Sequence, residues 1–214
     1  MPELPEVETT KQGLLPLLNQ TVIGVDIRQA SLRQPVPTQL HDICDATCLE
    51  LTRRGKYIIL KTNKGFVIIH LGMSGSLRLT QQTEPYRKHD HVILTLNNGQ
   101  SLRFHDPRRF GVFLWLTSDP LAHPLLASLG VEPLESAFTP DYLFEKSRNK
   151  KIAIKKFIMD SHVVVGVGNI YANEALFAAK IHPLTPSNQL NIGDYQRLHH
   201  HIYHILQAAI IRGG

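Results

Sequence analysis

The first residues of the chain, Met1-Pro2-Glu3, combine a latent nucleophile with a neighbouring acid. Removal of Met1, which a small second residue permits, would leave Pro2 with a free secondary amine. A terminal amine has a pKa of about 8, against about 10.4 for lysine, so more of it is unprotonated at neutral pH. Such an amine can attack a sugar or carbonyl carbon and form a Schiff base. Glu3 is then a candidate for transferring the protons of that reaction.

The alternative is that Pro2 and Pro5 only stiffen the approach to a helix. Pro5 suits a first helical position, and Glu6 suits the positive end of the helix dipole. An amphipathic helix is predicted over residues 5–15. Its inward-facing residues are predicted to be Val7, Leu14 and Leu15. The N-terminal prolines alone favour this structural role, and a catalytic role for Pro2 needs support from the rest of the chain.

The predicted secondary structure that must position these residues changes from strands to helices about half-way along the chain. In the first half, short segments with strand composition are separated by turn signals such as Asn97-Asn98-Gly99. The predicted strands cover residues 22–28, 48–53, 57–62, 66–71, 76–80, 92–96, 101–105 and 112–116. Many short strands joined by short turns predict a sandwich or barrel.

The second half has Leu, Ala and Ile at helical spacing. Helices are predicted over residues 125–129, 141–148, 152–159, 170–180 and 192–212, with Gly213 at the C-terminal cap of the last. The predicted fold class is therefore α+β. An N-terminal helix and β-sandwich occupy residues 1–117, a linker residues 118–134, and an all-helical domain residues 135–214.

The charge and cysteine content of the chain limit the kinds of partner and compartment that we expect for it. The 214 residues carry 23 Lys and Arg against 18 Asp and Glu, a net charge of +5, which points mildly to an anionic partner. The two cysteines, Cys44 and Cys48, are too few for a four-ligand zinc site and indicate a reducing compartment. We expect an unexported protein without a membrane segment, since no leader and no long apolar run is present.

A basic run and a glycine turn follow each other in the helical half. Residues 146–156 hold six Lys or Arg and no acid. Such a run is usually a solvated helix face, but it can also track phosphates. The glycines of 166–168 predict a tight turn that opens a helix, with Asn169 as N-cap and free amides that hold a phosphate. A dinucleotide-binding fingerprint is rejected, because Tyr171 stands where its third glycine belongs.

Other candidate residues have two interpretations each. Lys56, at the predicted start of a strand, is either an ordinary exposed lysine or a functional one. Phe110, beside Arg108, is either a duplex wedge or a buried hairpin residue, and Met73 is either a second wedge or core filling. The histidines of residues 199–204 suggest a metal site, but no acid or thiol joins them. A polar helix face without metal is favoured there.

Six motifs, taken together, resemble the bacterial formamidopyrimidine-DNA glycosylases, which are 8-oxoguanine DNA glycosylases and AP lyases. They occupy residues 2–9, 54–57, 70–75, 88–91, 106–111 and 164–172. The resemblance implies an N-terminal β-sandwich, a helix–two-turns–helix domain, and DNA in a cleft between them. A base inside a duplex must be flipped out before an amine can reach its sugar, which agrees with this picture.

The resemblance also implies a role for each candidate residue. Pro2 would attack C1′ of the damaged nucleotide, Glu3 would serve as acid and base, and Lys56 would donate a proton in β-elimination. The DNA-backbone contacts would be His70, His89, Arg108, Lys150 and Asn169. Met73, Arg108 and Phe110 would fill the gap left by the everted base, and Lys155 and Glu6 would recognise the lesion.

The partner would be double-stranded DNA with oxidised bases or abasic sites, bound by a monomer in the bacterial cytoplasm, at the nucleoid. Full-length members of the family carry one zinc ion in a C-terminal finger beyond the residues matched here, so no cofactor is expected in this chain. Two alternatives remain. One is an endonuclease VIII-like preference for oxidised pyrimidines, which Leu4 disfavours because those enzymes commonly have Gly at this position. The other is a damaged-DNA-binding fragment with little turnover.

Overall fold

The computed structural model describes residues 1–214, which form two compact units. The first unit comprises residues 1–2 and 7–123, and the second comprises residues 3–6 and 124–214. Helix α1 (Leu4–Gly13) therefore contributes its first three residues to the second unit and the others to the first. The predicted first domain was continuous, and the grouping of residues 3–6 with the helical unit is visible only in the structure.

The first unit contains two four-stranded antiparallel sheets, and the prediction of eight strands is confirmed. One sheet has the order β1-β6-β7-β5 and the other β2-β3-β4-β8. The strands are β1 (Val22–Ile27), β2 (Cys48–Arg54), β3 (Tyr57–Thr62), β4 (Phe66–His70), β5 (Ser76–Gln81), β6 (Asp90–Leu96), β7 (Gln100–His105) and β8 (Val112–Leu116).

A single apolar core lies between the two sheets. Alternate side chains of both sheets enter it, as period-two patterning requires. Phe104 of β7 and Phe113 of β8 meet there with ring centroids 5.7 Å apart. Val7 and Leu14 of the N-terminal segment are buried as predicted, but Leu15 is not, because it is 48% exposed in a short 3-10 turn after α1.

The second unit is helical, and the predicted α+β class is confirmed. Its helices are α2 (Pro124–Ala127), α3 (Pro140–Ser147), α4 (Ile154–Met159), α5 (Asn169–Ala178) and α6 (Ile192–Ile211). Helix α6 begins with a capping box formed by Asn191 and Asp194. Its C-cap is Arg212, one residue before the predicted position, and Gly213 follows with a φ of 90°.

The core of the helical unit is built on α6. Leu198, Ile202, Leu206 and Ala209 are buried along one face, and the partly buried Ile205 packs against the same core. Tyr195 is also fully buried and donates its hydroxyl to the Ser187 carbonyl at 2.8 Å. No helix of the chain is both long enough and apolar enough to cross a membrane.

Candidate active site

The residue after Pro2 caps a helix of the second unit. Glu3 is 2% exposed. Its Oε2 accepts the backbone N–H groups of Gly168 at 2.7 Å and Tyr171 at 3.2 Å, and its Oε1 accepts that of Ile170 at 2.7 Å. These N–H groups lie at the start of α5, where the helix itself provides no partners. A carboxylate here also interacts favourably with the helix dipole.

Two predictions about this helix start were wrong. Asn169 is the first residue of α5 and not its N-cap, which is Gly168, and no side chain of the turn itself caps the helix. The amides that were expected to hold a phosphate are occupied by Glu3 instead. The glycine turn and the N-terminal segment form one structure, because a carboxylate of the chain satisfies donors that a ligand would otherwise satisfy.

The glycines of this turn make room for the N-terminal segment. A Cβ at Gly168 would lie 2.5 Å from Cδ of Glu3, and one at Gly166 would lie 2.5 Å from a side-chain carbon of Leu4. Gly166 also has a φ of 84°, and its carbonyl accepts the N–H of Leu4 at 3.0 Å. Glycine at these two positions therefore permits the close approach of Glu3 and Leu4.

Lys56 lies in a two-residue turn between β2 and β3, not at the start of a strand as predicted. It is half-buried. The turn is attached to helix α1 through Arg53, which donates to Glu8 Oε2 at 2.8 Å and to the Gly55 carbonyl at 2.9 Å. The turn that carries Lys56 is thus fixed by a contact to the helix that follows the N-terminal residues.

His70, at the end of β4, is buried and neutral. Its Nδ1 accepts the N–H of Gly72 at 2.9 Å, so the ring proton resides on Nε2. Burial, followed by the positive charges of Arg33 and Lys56, lowers the pKa of His70 to about 4. A neutral imidazole with its proton on Nε2 can still donate a hydrogen bond to a phosphate oxygen.

Two turns of the first unit are held together by the buried carboxylate of Asp106. It accepts the hydroxyl of Ser74 at 2.9 Å and the N–H of Gly111 at 2.8 Å. The N–H of Arg108 in turn donates to the Ser74 hydroxyl at 3.1 Å. The turn of residues 71–75 and the turn of residues 106–111 therefore form one rigid surface.

Met73 and Phe110 lie at the tips of these two turns and are 43% and 46% exposed. The interpretations of Met73 as core filling and of Phe110 as a buried hairpin residue were therefore wrong. The Arg108 guanidinium lies 5.1 Å from the centroid of the Phe110 ring. An apolar side chain that is exposed beside an arginine is what a duplex wedge requires.

His89 lines an open, basic pocket of about 420 Å³ together with Arg28, Lys88 and Arg109. The chain before it is fixed by the fully buried Arg103, which donates to the carbonyls of residues 81, 84 and 85. The pocket therefore has a defined shape and a positive charge.

Asp90 anchors the strand that follows His89. Its two carboxylate oxygens accept hydrogen bonds from the two terminal nitrogens of Arg78, at 2.8 and 2.6 Å. Nδ1 of His105 lies 3.0 Å from Oδ1 of Asp90. Burial alone would raise the pKa of the Asp90 carboxyl, but the bonds from Arg78 and from the Arg87 N–H outweigh it and hold the pKa well below its usual range. Asp90 is therefore an internal anion that stabilises the edge of the pocket.

The second unit carries the remaining predicted residues. Lys150 precedes α4 and keeps 40% of its side chain exposed, with Nζ 3.8 Å from a carboxylate oxygen of Asp160. Lys155 is half-buried within α4, and Asn169 is exposed at the start of α5. An exposed ion pair of this length contributes little, so Lys150 is available for an anionic partner.

The matches to known families cover both units. Residues 1–113 match the formamidopyrimidine-DNA glycosylase N-terminal domain, and residues 129–214 match the H2TH domain of the same enzymes. This chain belongs to the formamidopyrimidine-DNA glycosylase family. The predicted family membership is confirmed.

Relatives and solved structures agree with this family. Formamidopyrimidine-DNA glycosylases of Legionella pneumophila (strain Lens) and Shewanella denitrificans are each 53% identical over the whole chain, which spans 79% of their length. The Lactococcus lactis enzyme bound to AP-site DNA is 35% identical with a TM-score of 0.90, over 99% of this chain and 83% of that one. The structure of the same enzyme with DNA that contains Fapy-dG has a TM-score of 0.91 at 35% identity. The match covers 99% of this chain and 81% of that one.

The histidines and cysteines of this chain do not converge on a metal site. No group of three or more His, Cys, Asp or Glu is placed to hold a metal ion. Cys44 and Cys48 are free thiols of the first unit. On α6, the rings of His200 and His204 lie 4.3 Å apart without a third ligand.

Sequence reasoning missed Asp106 and Tyr171 as structural residues of the site. Asp106 was noted only as part of a turn, and Tyr171 only as the residue that replaces a glycine. The signal for Asp106 was its position before Pro107, where an Asp commonly organises a turn. For Tyr171 no local signal exists, because its partner Glu6 lies 165 residues away.

Proposed function

We propose that this chain excises oxidised purines from DNA through a Schiff base on Pro2 and then cleaves the strand as an AP lyase. It is a base-excision repair enzyme of the formamidopyrimidine-DNA glycosylase family, whose members are bifunctional glycosylases and AP lyases. The observation that carries the proposal is the fixed carboxylate of Glu3, directly next to Pro2.

Removal of Met1 is the first requirement. In the full chain the Pro2 nitrogen belongs to a peptide bond and cannot act as a nucleophile, whereas a terminal proline amine can. Met1 is 59% exposed, so a peptidase can reach it. Leu4 and the residues after it are fixed in α1, and Glu3 is fixed by its hydrogen bonds to the start of α5, which limits the freedom of the new N-terminus to Pro2.

The Schiff base then forms in two steps. The Pro2 nitrogen bonds to C1′ as the bond from C1′ to the base breaks, and the base leaves with the electron pair and takes up a proton from water. The proton of the resulting ammonium passes through Glu3 to O4′ as the C1′–O4′ bond opens, which leaves an iminium. Oε1 of Glu3 accepts one N–H and Oε2 two, so Oε1 keeps the free lone pair for this transfer.

Strand cleavage follows by β-elimination. Water takes up a proton from C2′, the electron pair left behind forms a C2′–C3′ double bond, and the C3′–O bond breaks, so that the phosphate leaves. Lys56 donates a proton in this step and contacts a phosphate. The positive charge of Lys56 beside the neutral, buried His70 supports this assignment, because both would face the same anionic backbone.

DNA contacts come from both units. In the first, His70, His89 and Arg108 bind phosphates, and Met73, Phe110 and Arg108 fill the space of the everted base. In the second, Lys150 and Asn169 bind phosphates, and Lys155 and Glu6 recognise the lesion. The exposure of Met73 and Phe110 and the basic pocket at His89 support these roles. The enzyme acts on duplex DNA as a monomer.

Borohydride trapping tests the proposal. The protein, with Met1 removal verified by intact mass, is incubated with duplexes that carry 8-oxoguanine, an oxidised pyrimidine or an abasic site. We expect trapping on the 8-oxoguanine and abasic duplexes, with the adduct mapped to residue 2. An adduct on Lys56 or Lys155 contradicts the assignment of the nucleophile.

The same experiment separates the alternatives. Stronger trapping on the oxidised pyrimidine would show the specificity of the endonuclease VIII-like enzymes. Tight binding to all three duplexes without trapping, by protein that lacks Met1, would show a DNA-binding module without turnover.

A further inference from the structure

The carboxylate of Glu6 connects the N-terminal segment to helix α5. Its Oε2 accepts the backbone N–H of Glu3 at 2.8 Å, and its Oε1 accepts the hydroxyl of Tyr171 at 2.6 Å. All three residues belong to the second unit. Both oxygens of Glu6 are therefore used for internal hydrogen bonds.

Tyr171 is a permanent donor in this chain of bonds. Burial, then the hydrogen bond to Glu6 and the negative charges of Glu3 and Glu174, raise the pKa of Tyr171 far above its usual value. The phenol is consequently protonated at every working pH. Its hydroxyl can therefore hold the Glu6 carboxylate in one orientation throughout the reaction.

The N–H that Glu6 holds belongs to the peptide bond between Pro2 and Glu3. The plane of this peptide sets the direction of the proline ring, since only the ψ angle of Pro2 separates the two. The Glu3 side chain, on the other side of that nitrogen, is held by the N–H groups of Gly168 and Ile170. Helix α5 thus fixes the peptide at two points, through Glu3 and through Tyr171 with Glu6.

We propose that Tyr171 is a positioning residue that aims the Pro2 amine by holding Glu6 against the Glu3 N–H. The inference rests on the proposed function, because it assumes that Pro2 is the nucleophile. It also gives Glu6 an internal role in addition to the proposed lesion contact, because each carboxylate oxygen can accept a second hydrogen bond. A misdirected amine slows attack on C1′ without changing the surface that binds DNA.

The test compares Tyr171→Phe with Tyr195→Phe. Both remove one hydroxyl from the helical unit, but Tyr195 donates to the Ser187 carbonyl, away from Glu6. Three quantities are measured for each protein: the single-turnover rate of borohydride trapping at an abasic site, the Kd for a duplex with a reduced abasic site, and hydrogen exchange of the Glu3 amide.

For Tyr171→Phe we expect trapping to slow by about tenfold or more while the Kd changes by less than about twofold. The Glu3 amide should exchange faster, whereas Tyr195→Phe should leave both the trapping rate and the Glu3 amide unchanged. In a Glu6→Gln background, Tyr171→Phe should slow trapping by a smaller factor than in the wild type, because the two residues act through one bond.

Each outcome decides the inference. A Tyr171→Phe protein that traps as fast as the wild type overturns it and leaves the proposed function intact. A rate loss that equals the loss in Tyr195→Phe, or one matched by weaker DNA binding, shows a merely structural role and also overturns it. A wild-type protein that forms no adduct overturns the proposed function, and this inference with it.

Discussion

The side chain of Glu3 caps helix α5: its Oε2 accepts the backbone N–H of Gly168 at 2.7 Å, across 165 residues of sequence. The acid next to the proposed nucleophile is thus oriented by a helix of the other end of the chain. The approach is so close that residue 168 has no space for a Cβ. The conformation of the N-terminus therefore depends on the helical unit.

Substitution Gly168→Ala should displace Glu3. The new Cβ would lie 2.5 Å from Cδ and 2.6 Å from Cγ of Glu3, well inside van der Waals contact. We expect the trapping rate at an abasic site to fall by about tenfold to a hundredfold. The unfolding free energy, measured by urea titration with circular dichroism, should fall by about 1–3 kcal/mol.

Gly13→Ala is the matched control for this prediction. Gly13 ends α1, and a Cβ there would meet nothing within 4 Å. This variant should trap at the wild-type rate and gain up to about 1 kcal/mol of stability, since alanine favours helix. Equal behaviour of the two variants would show that the contact between residue 168 and Glu3 is unimportant.

Neutral substitutions of Lys150 and Arg108 should weaken binding to damaged and undamaged duplex alike. A phosphate contact releases about one counterion, so each of Lys150→Gln and Arg108→Gln should reduce the slope of log K against log salt by about one. Fluorescence anisotropy with labelled duplexes over a salt series measures this slope. Lys61→Gln, on an exposed position of β3, should leave it unchanged. An unchanged slope in the first two variants means that those side chains do not contact DNA.

The buried His70 should make the first unit less stable in acid. Its pKa is lowered in the folded protein, so between about 4 and 6.5 the unfolded chain binds the extra proton. The contribution of the neutral His70 side chain to the free energy of unfolding is fully present above pH 6.5 and is lost as the pH falls toward 4. The pKa difference between 6.5 in the unfolded chain and about 4 in the folded protein corresponds to a loss of on the order of 3 kcal/mol of unfolding free energy at most.

Fluorescence of Trp115, the only tryptophan and part of the first core, reports this unfolding. His70→Gln keeps an acceptor for the Gly72 N–H but does not titrate. The stability difference between pH 7.5 and pH 4.5 should therefore be smaller in His70→Gln than in the wild type. If both proteins lose the same free energy of unfolding over this interval, the low pKa of His70 is incorrect.

Much of the secondary structure was determined by local sequence. Strand composition between turn residues such as Asn97-Asn98-Gly99 predicts all eight strands, with bounds close to those observed. The capped helix α6 and its C-terminal glycine are equally local features. The motifs around Pro2, Lys56 and Gly168 were sufficient to recognise the family, because chemistry of this kind requires particular residues at particular places.

Tertiary structure alone decided how these pieces are joined. The order of strands in the two sheets, the exposure of Phe110 and the bond between Tyr171 and Glu6 all depend on contacts between distant residues. Asn169 was expected to cap α5 because N-cap propensity is local, but a carboxylate from the N-terminus satisfies the same N–H groups. A helix start has donors that any acceptor can fill, and only the fold determines which acceptor arrives.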